Sequence, residues 1–482
     1  MKTDGTREAA LNLNAETFRM LGHRLVDQLA ERLAAMPRGP ITRADSPSAV
    51  RSALDLNGPL PESGMDAASL LDQTTRLLFD HSLFNGHPRF FGYITSSPAP
   101  IGMLGDFLAA ALNPNVGSFG LAPAATEVES QTVRWIAELI GYPAGCGGLL
   151  VSGGNMANLV CFLAARHAKP GLVYASEETH TWIQKAADIS GIGAELMRWI
   201  PTDASLRMDV AALRRQLDAD KAAGGVASLI IGTAGTVSTG VVDPLPEMAA
   251  ICKEYGAWFH VDGAYGGFAA AVPEAPDDLR ALSEADSVAV DPHKWLYAPL
   301  EAGCALVRDR ELLRAAFSHH PPYYHFDEQA TNFVDYGLQN SRGFRALKVW
   351  LALRQVGASG YRKMISDDIR LSRAMADAVD RHPELELMTQ ELSITTFRYV
   401  SEDLKRSAGS EEGERQLNAI NRELLDRLQR GGEVFVSNAV IRGRYALRAC
   451  IVNFHTQLAD VEALPAIVAR VGREVGLVKV AD

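Results

Sequence analysis

Apolar residues near the start of the chain recur every three or four positions. Within residues 15–36 this spacing is shared by Phe18, Leu21 and Leu25, which predicts a helix with one apolar face. A connector rich in proline and glycine follows, and then a second helical stretch. Residues 1–85 are therefore predicted to form an N-terminal helical segment without a sheet of its own. Such a segment must pack on another surface, such as a partner subunit.

Short apolar runs alternate with helical stretches between residues 86 and 360. The runs GLVYAS, VASLIIGT, WFHVD, SVAVD and GCALVR are apolar almost throughout, as expected for strands that are covered on both faces. This alternation predicts a large α/β domain with a mostly parallel sheet and helices on both sides. Because ligands bind beyond the carboxyl ends of parallel strands, the polar residues that end these runs are candidates for a functional site.

The pattern changes again after residue 360. Four strand-like runs follow, ELELMTQ, SITTFRYV, EVFVS and YALRACIVN, and then a long helical stretch. The polar stretch SEDLKRSAGSEEGER, between the second and third runs, is predicted to be a surface loop. Residues 361–482 are therefore predicted to form a small C-terminal α+β domain.

Composition and charge narrow the class of partner. The 482 residues are 47% hydrophobic and carry a formal net charge of -11, which argues against nucleic acid or an anionic membrane as a partner. No apolar run reaches the roughly 18 residues of a membrane helix, and the first residues lack the apolar centre of a secretory signal. The five cysteines are scattered and form no CxxC pair. That pattern favours reduced thiols in the cytoplasm over disulfides or a zinc site.

A lysine follows one of the predicted strands in an otherwise apolar setting. Lys294 lies in the stretch DSVAVDPHKWL, directly before Trp295. Most lysines lay their apolar stem on the protein surface and keep the amine in water. The alternative is an amine in a partly dry pocket, where it attacks a carbonyl and forms a Schiff base. The lysine by itself leaves both interpretations open.

Two further polar residues follow predicted strands. Asp262 ends the run WFHVD, 32 residues before Lys294, so both can lie at the same edge of the sheet. Its carboxylate either caps the next turn or keeps the pyridine nitrogen of pyridoxal phosphate protonated. His180 follows the strand GLVYAS by a few residues. A histidine there is more often structural, although an imidazole can also stack on a cofactor ring.

A glycine-rich turn joins a predicted strand to a helix in the stretch LLVSGGNMANLV. Gly154 and Asn155 stand where this helix begins, and free amides at a helix N-terminus bind phosphate. A plain tight turn is an equal alternative, and the motifs of nucleotide P-loops and dinucleotide folds are missing. The stretch GTAGT, which contains Thr236, follows another strand with small and hydroxyl residues that can reach a ring or a phosphate.

The order and spacing of these motifs are more specific than any one of them. SGGN, the histidine in EETHTW, GTAGT, HVDGAY and DPHKW together resemble the group II pyridoxal-phosphate-dependent amino-acid decarboxylases. This family includes the aromatic-L-amino-acid, histidine and glutamate decarboxylases. The resemblance implies fold type I, with a mostly parallel seven-stranded sheet, an N-terminal helical flap and a small C-terminal domain. It also implies a homodimer whose active site is shared between subunits.

The resemblance assigns roles to single residues around pyridoxal 5'-phosphate. Lys294 is the lysine that binds the cofactor aldehyde covalently, and Asp262 pairs with the pyridine nitrogen. His180 stacks over the ring near the substrate carboxylate, while Gly154 and Asn155 bind the phosphate. Further cofactor contacts are implied for Thr236, Ala264 and His293.

The implied reaction is loss of carbon dioxide from an L-amino acid, after which the α-carbon must be protonated. The implied proton donor is Tyr323, on the loop of residues 317–336, acting across the dimer interface; Tyr324 is its rival. Relatives with phenylalanine at this position form aldehydes oxidatively. The tyrosine therefore favours an amine as the product.

Substrate preference is implied by a few positions only. Phe91 and Tyr93 are expected to form an apolar wall for a ring, whereas Ile94 replaces a phenylalanine of animal aromatic decarboxylases. Ser341 stands where serine accompanies a preference for tyrosine or histidine. Phe91, Tyr93 and Ser341 favour an aromatic substrate such as tyrosine, Dopa or tryptophan, whereas Ile94 argues against one.

Three alternatives to an aromatic decarboxylase stay open. One is decarboxylation of an acidic, diamino or histidine substrate, for which Arg345 or Arg448 would hold an acidic side chain; a structural ion pair is the ordinary expectation for both. The second is an aromatic aldehyde synthase. The third is a non-catalytic member of the fold, against which Lys294, Asp262 and His180 argue.

Overall fold

The computed structural model describes residues 9–56, 58–320 and 330–479. The chain begins with helices whose first turns are capped by side chains: Asn14, Ser46 and Asp66 each accept a hydrogen bond from a backbone N–H three residues later, which fixes where each helix starts. Little of this segment is buried within the chain; in the first helix only Leu21 is. The helices are α1 (Ala15–Ala35), α2 (Pro47–Ala53) and α3 (Ala67–Asp80).

The large domain is built on a seven-stranded sheet. Its strands are β1 (Gly147–Val151), β2 (Leu172–Ser176), β3 (Met197–Ile200), β4 (Ala227–Thr233), β5 (Trp258–Asp262), β6 (Ser287–Val290) and β7 (Gly303–Val307). The strand order is β1-β7-β6-β5-β4-β2-β3. Only β7 pairs antiparallel to its neighbours in this sheet. The mostly parallel seven-stranded sheet of fold type I is therefore confirmed.

Both faces of this sheet are covered, because alternate residues of each strand enter different cores. In β1, Leu150 packs in one apolar cluster, whereas Leu149 and Val151 pack in another on the opposite face. The covering helices contribute apolar residues to one cluster or the other. The helices of this domain are α4 (Pro100–Leu112), α5 (Pro123–Leu139), α6 (Gly154–Ala168), α7 (Trp182–Ser190), α8 (Val210–Ala222), α9 (Leu245–Tyr255) and α10 (Arg310–Phe317).

A single long helix, α11 (Ala346–Asp380), leads out of the large domain. Its regular geometry is interrupted at Gly357, where φ is 70°. Such a backbone conformation favours glycine, which has no Cβ. The division predicted at residue 360 falls inside this helix, so the exact domain boundary stays a prediction.

The C-terminal part forms a second, antiparallel sheet of four strands in the order β10-β11-β9-β8. The elements are β8 (Leu385–Glu391), β9 (Ile394–Tyr399), α12 (Glu411–Gly431), β10 (Ser437–Ile441), β11 (Arg444–Cys450) and α13 (Leu458–Lys479). Helices α12 and α13 and the end of α11 pack on this sheet and bury the third large apolar cluster of the protein. This part therefore contains both strands and helices, as predicted for a small α+β domain.

The five cysteines are free thiols, and four of them are buried. Burial raises the pKa of the Cys161 thiol to about 12. It also raises the pKa of Cys146, which is partly exposed, to about 11. Within the described ranges, no helix is both long and apolar enough to cross a membrane.

Candidate active site

A cavity of about 710 Å³ opens where β1, β4, β5 and β6 end, and residues of β10 close it from the side of the C-terminal domain. This is the edge at which parallel sheets bind ligands. Polar residues from separate strand ends converge on it. The predicted residues that line the cavity are Lys294, Asp262, His180, Gly154, Asn155, Ala264, His293, Tyr93 and Ile94.

Lys294 stands in the turn that follows β6. Its backbone N–H donates to the carbonyl of Asp291 at 2.9 Å, and its Nζ lies 3.1 Å from Asp291 Oδ2. The same carboxylate oxygen lies 3.5 Å from Nε2 of His293, whose pKa is lowered by burial. The amine is therefore held at the cavity wall by one buried carboxylate, which offsets the cost of removing its charge from water.

Asp262, the last residue of β5, is 6% exposed. Its Oδ2 accepts a hydrogen bond from the indole Nε1 of Trp182 at 2.7 Å, and its Oδ1 accepts one from the backbone N–H of Ala264 at 3.1 Å. It forms no ion pair with any residue that the structure describes. A buried carboxylate without a cation is costly, so Asp262 suits a ligand that brings a positively charged N–H.

His180 lies between β2 and α7 and is half-buried. Burial lowers its pKa, and the negative charge of Asp262 partly opposes this shift. Its Nδ1 accepts a hydrogen bond from the backbone N–H of Trp182 at 3.2 Å. In the neutral imidazole the proton then lies on Nε2. The ring is therefore a flat, uncharged surface with its proton on the other nitrogen.

The turn after β1 lets the backbone approach the site closely. A Cβ on Gly154 would lie 2.7 Å from Asp291 Oδ2 and 3.0 Å from the Cβ of Ala264, so any side chain there would collide. Gly154 and Asn155 open α6, where the first amides have no partner within the helix. The turn can thus present N–H groups to a phosphate.

Phe91 is not part of the cavity wall, which corrects the prediction from the sequence. Its backbone N–H donates to the carbonyl of Phe435 at 2.7 Å, and its fully buried ring packs in the core of the C-terminal domain. Tyr93, two residues later, has a φ of 52° and does line the cavity. A hydrophobicity pattern could not separate these two rings because both are apolar.

Thr236, which was predicted to contact the cofactor, does not line the cavity either. It is fully buried, and its hydroxyl lies 3.0 Å from that of Thr239, within the turn that follows β4. The cavity is lined instead by Thr233, Val237 and Ser238 from the same segment. Thr236 therefore does not line the cavity in which its cofactor contact was predicted.

The lining of the cavity does not test two other predictions, the substrate contact of Ser341 and the proton donor Tyr323. Ser341 is exposed and does not line the cavity within this chain, so its role would need a second subunit. Tyr323 and its rival Tyr324 lie outside the described residues. Their assignment as proton donor stays a prediction.

Arginine behaves differently at its two predicted positions. Arg345 forms the expected structural ion pair with Glu301, at 2.9 Å. Arg448 forms none among the described residues: its Nη1 donates to Ser437 Oγ at 2.9 Å and to the carbonyl of Tyr93 at 3.2 Å. Its Nε and Nη2 have no hydrogen-bond partner within the described ranges, and the residue lines the cavity.

Sequence reasoning missed Trp182, whose indole binds Asp262 from 80 positions away. The only signal was its place two residues after a candidate histidine. Also missed was His260, inside β5, which is held by Asn158 Oδ1 at 2.8 Å and by Ser287 Oγ at 2.9 Å. Trp182 bonds directly to Asp262, and His260 packs against the indole of Trp182.

Comparison with known proteins identifies the family, since a match to the pyridoxal-dependent decarboxylase conserved domain spans residues 51–400. The aromatic-L-amino-acid decarboxylase of Bacillus atrophaeus is 30% identical over 97% of this chain and 98% of its own length. The phenylacetaldehyde synthase of Petunia hybrida is 31% identical over 91% of each chain. The crystal structure of Oryza sativa TDC with PLP and tryptamine is 26% identical, has a TM-score of 0.89, and covers 97% of this chain and 99% of that one. This chain therefore belongs to the pyridoxal-dependent decarboxylase family and is a carboxy-lyase that uses pyridoxal 5'-phosphate.

Proposed function

We propose that this decarboxylase converts an aromatic L-amino acid to its amine and carbon dioxide. The proposal rests on one observation above all: Lys294, Asp262 and His180 line a single cavity at the carboxyl edge of the sheet. Tyr93 and Ile94 add an apolar wall, which suits a ring. The relatives add support, because the Bacillus atrophaeus protein is named for aromatic L-amino acids and the Oryza sativa structure contains tryptamine.

The cavity residues fit pyridoxal 5'-phosphate at both of its polar ends. Gly154 and Asn155 would hold the phosphate at the start of α6, where a Cβ on Gly154 would fill the available space. Asp262 would face the ring nitrogen as a buried carboxylate that forms no ion pair with a described residue. When bound, the cofactor supplies an aldehyde that joins to an amine and a ring that accepts the electrons of a breaking bond.

The residues of the chain then have separate tasks. Lys294 offers the amine that holds the cofactor, and Asp291 orients it at 3.1 Å. Asp262 would keep a proton on the ring nitrogen of the bound cofactor. His180, whose proton lies on Nε2, would cover that ring and would donate to the substrate carboxylate. Residues of β10 close the cavity from the other side, which limits the access of water during the reaction.

Protonation of the substrate α-carbon requires a positioned acid. We assign this step to Tyr323, with Tyr324 as the rival. A phenol in this role favours an amine product over an aldehyde. The relevant measurement is therefore the product, not the loss of substrate alone.

The test is a panel of L-amino acids offered to the purified holoenzyme, with amine, carbon dioxide and hydrogen peroxide all measured. The panel contains tyrosine, Dopa, tryptophan, phenylalanine, histidine, glutamate, aspartate and 2,4-diaminobutyrate. We expect kcat/KM for one aromatic substrate to exceed every non-aromatic value by about tenfold or more, with equal amounts of amine and carbon dioxide. Aldehyde with peroxide would instead identify an aldehyde synthase.

An acidic substrate is the second candidate, and one observation favours it. Arg448 is buried at the cavity, forms no ion pair with a described residue, and has two nitrogen atoms that lack a hydrogen-bond partner there. A buried guanidinium in this state is suited to a carboxylate. A substrate with an acidic side chain would complete its hydrogen bonding.

Substitution of Arg448 separates the two candidates. If the substrate is acidic, Arg448→Met should lower kcat/KM for glutamate or aspartate about tenfold to hundredfold, as expected for lost hydrogen bonds to a charged group. Arg345→Met, which removes an arginine that is already paired with Glu301, is the control. If the substrate is aromatic, the wild-type enzyme should turn over the acids poorly from the start.

We also propose that the enzyme is a cytoplasmic homodimer. Helices α1 and α4 carry apolar side chains that are roughly half exposed, and the rings of Phe18 and Phe107 stack with centroids 6.5 Å apart. A second copy of the chain would cover this face. Five free thiols, four of them buried, fit a reducing compartment. The exposed apolar side chains of the two helices are Phe18, Met20, Val26, Leu104, Phe107, Leu108 and Leu112.

A further inference from the structure

Trp182 touches both of the polar groups that are proposed to face the cofactor ring. It is the first residue of α7 and is 2% exposed. Its indole Nε1 donates to Asp262 Oδ2 at 2.7 Å, and its backbone N–H donates to His180 Nδ1 at 3.2 Å. One residue therefore links the carboxylate of Asp262 to the imidazole of His180.

The indole has little freedom to turn away from Asp262. It packs edge to face against the ring of His260, with centroids 5.7 Å apart and an interplanar angle of 85°. On another side it meets Phe162 at 6.4 Å and 78°. A hydrogen-bond donor held in this way needs no reorganisation when a ligand binds.

His260 cannot replace Trp182 as a partner of Asp262. Its Nε2 donates to Asn158 Oδ1, and its Nδ1 accepts from the hydroxyl of Ser287. Burial lowers its pKa to about 4, so it is neutral at ordinary pH. The indole N–H is therefore the side-chain donor that stabilises the buried charge of Asp262 among the described residues.

We propose that Trp182 is a positioning residue whose indole N–H fixes Asp262 towards the ring nitrogen. This inference rests on the proposed function, because it assumes that Asp262 faces the ring nitrogen. The indole N–H stabilises the ionised carboxylate and sets its orientation. The carboxylate in turn keeps the ring nitrogen protonated, which the electron-accepting role of the ring requires.

The central test is Trp182→Phe, which removes the donor and keeps an aromatic ring. We expect the Kd for pyridoxal phosphate, titrated into apo-protein, to rise about tenfold, as expected for one lost hydrogen bond to a buried charge. The pH at which the absorption spectrum of the bound cofactor changes should also shift, and kcat should fall with little change in KM. A residue with a purely structural role would lower the melting temperature without moving that spectral pH.

The control is Trp350→Phe, which also removes one indole donor. Trp350 Nε1 donates to Gln131 Oε1 at 2.7 Å, and neither residue lines the cavity. Its cofactor Kd should stay within about twofold of wild type. The inference would be overturned if Trp182→Phe bound the cofactor with the wild-type Kd and an unshifted spectral pH. It would also be overturned if Trp350→Phe raised the cofactor Kd as much as Trp182→Phe does.

Two further variants complete the design. Asp262→Asn reports on the proposed function: if it binds cofactor and turns over like wild type, the role of Asp262 itself is wrong. If Asp262→Asn is impaired and Trp182→Phe is not, only the inference about Trp182 fails. Should Trp182→Phe not fold, Trp182→His retains a ring N–H; a Kd nearer to wild type than that of Asp262→Asn supports the inference, and an equal loss contradicts it.

Discussion

The sequence predicted which residues line the cavity where those residues end a strand or closely follow one. Lys294, Asp262 and His180 each follow an apolar run, and the geometry of a parallel sheet brings such positions to one edge. Trp182 and Arg448 could not be placed in this way. Arg448 contacts Tyr93 across 355 positions of the chain, and a contact of that range depends on how the two domains pack. Local patterns do not encode it.

Loss of the Lys294 amine should abolish catalysis. We expect Lys294→Ala to lower the rate of carbon dioxide release about 10³-fold or more, because the variant lacks the amine that binds the cofactor. Borohydride reduction of the wild-type holoenzyme, followed by peptide mapping, should place the cofactor on Lys294. Lys253→Ala, at an exposed ion pair with Glu284, should keep full activity. A label on another lysine would contradict the assignment.

At the scale of elements, the strands of the large domain were predicted well because they are buried on both faces and therefore apolar throughout. The bounds of the C-terminal strands were predicted less exactly. The run EVFVS was predicted as a strand, but the regular strand β10 begins only at Ser437. Before it, Phe435 accepts the backbone hydrogen bond of Phe91. The predicted loop that starts at residue 401 also gives way to helix α12, which begins at Glu411 after the cap of Ser410.

Helix α11 contributes a buried acid that fastens the turn carrying Lys294. Asp368 Oδ2 accepts from Trp295 Nε1 at 3.0 Å and from the hydroxyl of Tyr297 at 2.7 Å. Burial raises its pKa to about 7. The folded state therefore binds this proton more tightly than the unfolded state does, and the resulting stability is lost as the pH rises from about 4 through about 7.

The consequence is a measurable dependence of stability on pH. Between pH 5 and pH 8 the melting temperature of wild type should fall relative to that of Asp368→Asn by on the order of 2 °C, because asparagine keeps an acceptor oxygen and carries no charge. Differential scanning fluorimetry at several pH values measures this. Asp367→Asn, at a more exposed neighbouring position, should follow wild type. Parallel curves for wild type and Asp368→Asn would show that Asp368 does not titrate in this range.

At the scale of the whole molecule, the sequence predicted three parts because the pattern of apolar runs changes near residues 86 and 360. What the sequence could not show is that the cavity draws on distant parts of the chain. Residues of β10 and Arg448 line it together with the strand ends of the large domain. We propose that a second subunit also covers the exposed apolar faces of α1 and α4.

A shared active site predicts that two variants that form no amine rescue each other. Lys294→Ala and Tyr323→Phe subunits, mixed so that they exchange, should recover amine formation at about a quarter of the wild-type rate, since half of randomly formed dimers are mixed and each of those has one complete site. Each variant alone is the control, and Tyr323→Phe alone should give aldehyde instead of amine. Verified heterodimers that form no amine would contradict a site shared across the interface.

The burial of the thiols has a practical consequence for work with this enzyme. Because the thiolate is the reactive form of cysteine and burial raises the pKa values of Cys161 and Cys146, maleimide dyes should modify the native protein slowly. A cysteine introduced at an exposed position would then be labelled selectively without prior removal of the natural ones. Fluorescent probes attached in this way would report on the proposed association of two subunits.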